Sequence, residues 1–372
     1  MTFYNEINKF DWEQIKREIY SKTEHNVLEA LNKSGKKTIE DFKAFISPAG
    51  FPYLESMARQ SRDITLKRFG KTIQLYIPLY LSNECTNGCK YCGFNHSINI
   101  KRKTLTDREI TDELKTIKEL GFDHILLVTG EHQKKSNFEY IQNAVKLARE
   151  FFSLVSLEIQ PLEEDEYFEL TQLGLNTVYI YQETYHENNY QEYHPTGKKS
   201  NFRYRIETPD RLGKSGIHKI GLGTLIGLED WRTEAVALAK HLQYLEKKYW
   251  KTKFSISFPR LRPHQGNFTP NYPINEAELV QLITAYRLFN ENVELSLSTR
   301  ESANFRNHAM KIGITAMSAG SKTEPGGYAS KTQELEQFNI NDDRSPLEIC
   351  QSIQDNDYEA VWKDWNNYFQ PQ

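Results

Sequence analysis

Eight short apolar runs rich in β-formers alternate with longer amphipathic segments between residues 74 and 319, and few compact folds accept that rhythm. The runs are Gln74 to Leu81, His124 to Thr129, Leu154 to Ile159, Thr177 to Tyr181, Lys219 to Leu225, Phe254 to Phe258, Val293 to Ser298 and Ile314 to Ala319. Parallel strands need long crossover connections, and a sheet closed on itself has no exposed edge. Eight β-then-α units therefore predict an α/β fold, a (β/α)8 barrel of the TIM type. A doubly wound open sheet is the other arrangement that such alternation allows. The intervening segments open with helix-start signals, such as Thr106 and Glu109 at capping-box spacing. Many of them stop at a glycine, as at Gly121, Gly174, Gly216 and Gly313.

Ahead of this region the rhythm is helical. Trp12, Ile15, Ile19, Val27, Leu28 and Leu31 recur at helical spacing from Asp11 to Asn32, with a break expected near Lys22. Thr38 to Phe45 and Tyr53 to Phe69 predict two more helices. The expected organisation is a helical extension over 1–72, the barrel over 73–331 and a C-terminal cap over 332–372 that includes Trp362-Lys363-Asp364-Trp365. The 47 basic and 50 acidic side chains are interspersed and leave a net charge of -3, so no basic footprint for nucleic acid or for a membrane surface is expected. No apolar run approaches the length of a bilayer span, and Met1-Thr2-Phe3-Tyr4-Asn5-Glu6 lacks the secretory pattern; a cytoplasmic protein is the expectation.

Either architecture puts chemistry at the C-terminal ends of its strands. The loop after the first run carries Cys85, Cys89 and Cys92, and Cys350 is the chain's only other thiol. Three thiolates on one tight loop can hold three irons of a cubane cluster and leave the fourth iron open. The competing reading closes a tetrahedral zinc site with His96 and makes the protein a zinc-stabilised binding module. Cys350 is expected to serve as a small packing residue.

The order Cys-x3-Cys-x2-Cys, with Tyr91 before the last cysteine, resembles the signature of the radical S-adenosylmethionine superfamily. The resemblance implies a 4Fe-4S cluster on Cys85, Cys89 and Cys92, with S-adenosylmethionine chelating the open iron and yielding a 5′-deoxyadenosyl radical on reduction. It further implies cofactor contacts at Tyr91, at Gly130 and Glu131 for the methionine ammonium, at Glu183 for the ribose and at Arg205 for the carboxylate. Gly221-Leu222-Gly223-Thr224-Leu225-Ile226-Gly227 resembles the superfamily's fifth-strand motif imperfectly, and Ile226 is the candidate beside adenine.

Four further stretches, Tyr181-Gln182-Glu183-Thr184-Tyr185-His186, Ser257-Phe258-Pro259-Arg260-Leu261-Arg262-Pro263, Leu297-Ser298-Thr299-Arg300-Glu301 and Pro325-Gly326-Gly327-Tyr328, resemble the tyrosine lyases of anaerobic thiamine biosynthesis. That resemblance implies L-tyrosine as substrate, its carboxylate held by Arg300 with help from Ser321. It implies cleavage of the Cα-Cβ bond to dehydroglycine and p-cresol, a reductant such as flavodoxin or ferredoxin, and delivery to thiazole synthase. Arg260 and Arg262 are weaker candidates for the same carboxylate, and an ion pair with Glu301 is the structural alternative for Arg300. Hydrogenase-maturation lyases resemble the chain through the barrel but carry a second cysteine-held cluster, for which Cys350 alone does not suffice. A tryptophan-cleaving relative is the remaining enzymatic alternative.

Overall fold

The computed structural model describes residues 2–263, 268–329 and 336–362. Eight parallel strands form its centre: β1 (Thr72–Ser82), β2 (His124–Thr129), β3 (Leu154–Glu158), β4 (Leu175–Tyr179), β5 (Lys219–Gly223), β6 (Lys253–Ser257), β7 (Glu294–Leu297) and β8 (Ala316–Ser318). Each pairs with its sequence neighbour, and β1 joins both β2 and β8, so the sheet closes into a barrel and the doubly wound alternative falls. Every expected run is a strand. The fourth ends at Tyr179 rather than Tyr181, yet its backbone continues beside β5 through Ile180 N to Gly221 O at 2.9 Å and Gln182 N to Gly223 O at 3.1 Å.

Alternation along β1 separates two environments. Ile73, Leu75, Ile77 and Leu79 face the helical layer and join the main core. Tyr76 and Tyr80 fall in a second cluster with Leu126, Val128 and Tyr179, as a period of two requires. The glycine stops behave as expected, with Gly121, Gly174, Gly216 and Gly313 all at positive φ.

The N-terminal segment folds as helices Trp12–Tyr20, Glu24–Asn32, Ile39–Ile46 and Leu54–Phe69, with the anticipated break at residues 21–23. They lean on the barrel's own helices. Gln281, in the helix Glu276–Phe289, donates to Phe45 O at 2.7 Å and to Ser47 O at 2.8 Å, while Arg232 donates to Ile46 O at 2.8 Å. The one-turn helix Tyr4–Ile7 and a ninth strand, β9 (Glu359–Val361), escaped sequence reading because each is too short to show a period. β9 adds in parallel to Thr72–Gln74 of β1. Lys363-Asp364-Trp365 lies outside the described residues.

Beyond the barrel, the fully buried Arg306 pairs with Asp342 and donates to Ser318 O at the end of β8. Arg344 grips the same carboxylate at 2.7 Å. Burial alone would raise the Asp342 carboxyl, but the two guanidinium groups outweigh it and hold it below the ordinary carboxylate range. Its contribution to stability is therefore present at neutral pH and is lost as pH falls through that depressed value. Asp342→Ala strands a buried cation and should cost about 3–5 kcal/mol. The thermal midpoint at neutral pH should drop, and the gap between variant and parent should narrow in acid; an unchanged midpoint removes this pair from the account.

Candidate active site

The segment after β1 has no regular structure and is held by hydrogen bonds from its surroundings. Thr86 N donates to Glu131 O at 2.8 Å, Gly88 N to Thr196 O at 3.1 Å, Lys90 N to Tyr193 O at 3.1 Å and Gly93 N to Gln337 O at 3.2 Å. Arg102 donates to four backbone carbonyls, those of Asn83, Phe94, Asn95 and Ile98. Cys85, Cys89 and Cys92 are all free thiols and line one cavity of about 200 Å³ at the barrel mouth. Burial pushes the Cys89 thiol up to about 12 and raises Cys92 as well. A cationic metal centre is the partner that would let such thiols ionise.

His96 is exposed and does not line that cavity, so the loop brings no fourth ligand to a zinc ion. Among the described residues no group of three or more His, Cys, Asp or Glu side chains is arranged to hold a metal ion. Thiolates at three corners of a cluster stand farther apart than ligands of one ion and do not need that convergence. The donor set thus fits a cluster better than zinc. Cys350 packs half-buried against the main core, as a small apolar residue would.

Gly130 joins this loop to β2. Its N–H reaches Ser82 O at 2.9 Å, and a Cβ there would strike the Glu84 carbonyl and meet the Cys85 Cβ at 3.2 Å. Glu131 turns its carboxylate to Asn87 Nδ2 at 2.7 Å, and Asn87 Oδ1 accepts Lys199 N at 3.0 Å. Glu183 takes a left-handed backbone, φ 69°, that directs its buried carboxylate to Lys199 Nζ at 2.7 Å and to Arg205 at 3.6 Å. Burial would raise the Glu183 carboxyl, but these two cations outweigh it and hold it low. Arg205 also donates to Tyr181 O at 2.7 Å. Glu131, Glu183, Lys199 and Arg205 all line the cavity and offer both signs of charge, as a zwitterionic ligand requires.

Tyr91 sends its hydroxyl away from the cavity to His194 Nε2 at 2.7 Å, while His194 Nδ1 lies 2.8 Å from Tyr190 O. A carbonyl only accepts, so Nδ1 carries the proton and Nε2 takes the Tyr91 hydroxyl hydrogen. Burial pushes His194 down to about 3 and keeps it neutral. Neither His194 nor Lys199 was singled out from sequence. Ile226 falls in the core behind the wall, both its N and O engaged with Pro259 and Leu261, and Leu225 lines the cavity instead.

On the opposite wall three arginines compete for one carboxylate. Glu301, fully buried, takes Arg260 through both its oxygens and Arg262 at 3.0 Å. Arg300 is left with no carboxylate partner among the described residues. It stacks its guanidinium over the Phe338 ring at 3.4 Å and reaches Arg260 O at 3.4 Å. Nearby, the buried Ser321 hydroxyl has no hydrogen-bond partner among the described residues, and both residues line the cavity. Glu158, at the end of β3, also faces the cavity and was missed because it closes an apolar run. Burial raises its carboxyl to about 7 against the pull of Arg300.

Comparison with known proteins agrees with this geometry. Residues 79–239 match the radical SAM superfamily, and residues 257–359 match the Biotin and Thiamin Synthesis associated domain. The chain is 49% identical over 368 residues to 2-iminoacetate synthase of Escherichia coli, covering 99% of this chain and 97% of that one. It is 46% identical to 2-iminoacetate synthase of Salmonella typhimurium with the same coverage. Among solved structures, HydG, a maturase of the [FeFe]-hydrogenase, superposes with a TM-score of 0.91 at 30% identity, over 98% of this chain and 82% of that one.

Two outcomes test the site. Gly130→Ala should displace the Glu84 carbonyl and lower the iron and sulfide bound per chain after anaerobic reconstitution; full loading would deny the glycine its role. Glu158→Gln removes a carboxyl that is costly to ionise in the folded state. It should raise the thermal midpoint above pH 7 and lose that advantage near pH 4–5, where both forms are neutral.

Proposed function

The chain belongs to the radical S-adenosylmethionine superfamily and, within it, to the family of 2-iminoacetate synthases; from that membership we propose that it divides L-tyrosine between Cα and Cβ, giving dehydroglycine (2-iminoacetate) and p-cresol for thiamine thiazole assembly. The observation that carries this reading is Arg300, the one cavity arginine of the mouth trio whose charge Glu301 leaves unclaimed.

When bound, a 4Fe-4S cluster and S-adenosylmethionine supply a one-electron cleavage to methionine and 5′-deoxyadenosine that removes a hydrogen atom from the substrate. Cys85, Cys89 and Cys92 would hold the cluster. Gly130 and Glu131 offer a backbone edge and a carboxylate to an ammonium group, and Arg205 offers a guanidinium to a carboxylate. Glu183, fixed by Lys199, presents an acceptor to ribose hydroxyls. Arg300, with Ser321, would grip the tyrosine carboxylate and so aim the amine, since bidentate pairing fixes orientation as well as affinity. Tyr80, Phe94, Tyr181, Phe258 and Phe338 on the cavity wall support an aromatic side chain and exclude water.

The same reading includes a cytoplasmic setting, a flavodoxin- or ferredoxin-like reductant, thiazole synthase as acceptor of the product, and the division 1–72, 73–331 and 332–372. Among the described residues no helix is long and apolar enough to cross a membrane. The hydrogenase-maturation alternative needs thiols this chain does not carry, Cys350 being the only one after Cys92.

Anaerobic reconstitution, reduction with S-adenosylmethionine and tyrosine, and mass spectrometry of the products test the proposal directly; p-cresol with dehydroglycine is expected, and an indole product from tryptophan alone would redirect it. Arg300→Ala should cut p-cresol roughly 10- to 100-fold, the loss of a charged hydrogen-bonded pair, while 5′-deoxyadenosine still forms. Cys89→Ala should abolish both the cluster and all turnover.

A further inference from the structure

The segment Glu336 to Asn339 crosses the barrel mouth as a strap, and its backbone is fixed from three sides. Gln337 N donates to Thr323 O at 3.0 Å, Thr323 Oγ1 to Phe338 O at 3.1 Å and Asn339 N to Pro263 O at 3.1 Å. The strap also presses on the cysteine loop. Gly93 N donates to Gln337 O at 3.2 Å, and a Cβ on Gly93 would collide with that same carbonyl at 2.6 Å. With its backbone pinned, the Gln337 side chain has one direction left, inward.

There its amide meets two groups of opposite demand. Tyr80 donates its hydroxyl hydrogen to Gln337 Oε1 at 2.8 Å, and Gln337 Nε2 lies 3.6 Å from Cys92 Sγ. The sulfur decides which way round the amide stands, because turning it over would aim a carbonyl oxygen at an acceptor, and the Tyr80 hydroxyl, able to donate or accept, then anchors the amide oxygen. An N–H directed at a thiolate withdraws negative charge from it, and such bonds to cluster sulfurs are among the levers that set an iron-sulfur potential.

We propose that Gln337 is a positioning residue for the metal centre, its amide donating to the Cys92 thiolate and raising the potential at which the cluster accepts an electron. The proposal rests on the reading of Cys85, Cys89 and Cys92 as cluster ligands given above. One electron enters from an external low-potential donor and stays on the cluster; no bond breaks and no proton moves in this step. Without the amide, the additional negative charge meets an unrelieved thiolate and reduction becomes harder. Tyr80 acts one step further out, by anchoring the far end of the amide.

The test uses the full chain, reconstituted anaerobically with iron and sulfide, with the cluster potential read by a redox titration followed by electron paramagnetic resonance. Gln337→Leu and Gln337→Ala keep the backbone groups of the strap and remove the side-chain amide, both the donor to Cys92 and the acceptor for Tyr80. Both should retain the parent's iron and sulfide content, and both should shift the midpoint to more negative potential. Tyr80→Phe should shift it in the same direction by less. Variants that load fully and titrate at the parental potential overturn the role of Gln337 while leaving the cluster assignment intact. Variants that lose the cluster overturn it in favour of a purely structural latch. A parent chain that assembles no cluster overturns the assignment and this proposal together.

Discussion

Closure of the barrel between β1 and β2 is the contact on which the site depends. The two strands run in parallel from Ile77 and Ile125 to Ser82 and Thr129, with a register shift between Tyr80 and Ser82. An irregularity of that kind re-aims the chain as it leaves a strand. Here it sends the cysteine segment sideways over the end of β2, where Gly130 offers no side chain to obstruct it. The thiols and the Gly130-Glu131 carboxylate thereby face one cavity although 45 residues separate Thr86 from the Glu131 carbonyl it binds. Separate the two strands and neither half of the site has a wall to rest on.

Charge allocation follows from that geometry. The cavity gathers Glu131, Glu158, Glu183, Lys199, Arg205 and Arg300 in a partly desolvated space, where unpaired charge is expensive. The chain neutralises most of it internally: Lys199 and Arg205 share Glu183, and Glu301 absorbs Arg260 and Arg262. Among the described residues Arg300 and Glu158 are not matched to an oppositely charged side chain within ion-pair distance, and Glu131 bonds the neutral Asn87 amide. Arg300 rests its guanidinium on the Phe338 ring, and burial raises the Glu158 carboxyl to about 7.

Much of this was legible from residue order because strands and thiols announce themselves. Eight β-branched and aromatic runs with glycine-terminated helices between them specify closure, and the cysteine spacing specifies a loop with three soft ligands. Arg300 could be named from its position just past a strand end, but its freedom could not, since that depends on Glu301 preferring two neighbours contributed by the loop after β6. Lys199 was hidden by its neighbour Lys198, which is exposed and makes the pair look solvated. His194 lacked any local pattern, and its role emerges only when Tyr91 arrives 2.7 Å away from across the mouth. Ile226, named from the resemblance of its glycine-rich motif, lies in the core while its neighbour Leu225 lines the cavity, a placement that depends on how the chain leaves β5 after Gly223.

The C-terminal segment then answers a question the barrel leaves open. A (β/α)8 mouth is built from loops that are free to move, yet chemistry initiated at a metal centre needs substrate and centre held at fixed separation from each other. Arg306 and Asp342 fasten the segment to the end of β8, and Thr323 and Pro263 receive its backbone. Between those anchors consecutive residues face different halves of the site, Gln337 toward Cys92 and Phe338 beneath Arg300. Two adjacent positions of the strap thus touch both the thiol loop and the guanidinium. The backbone bonds at Gln337 and Asn339 and the ion pair at Asp342 oppose movement of either position.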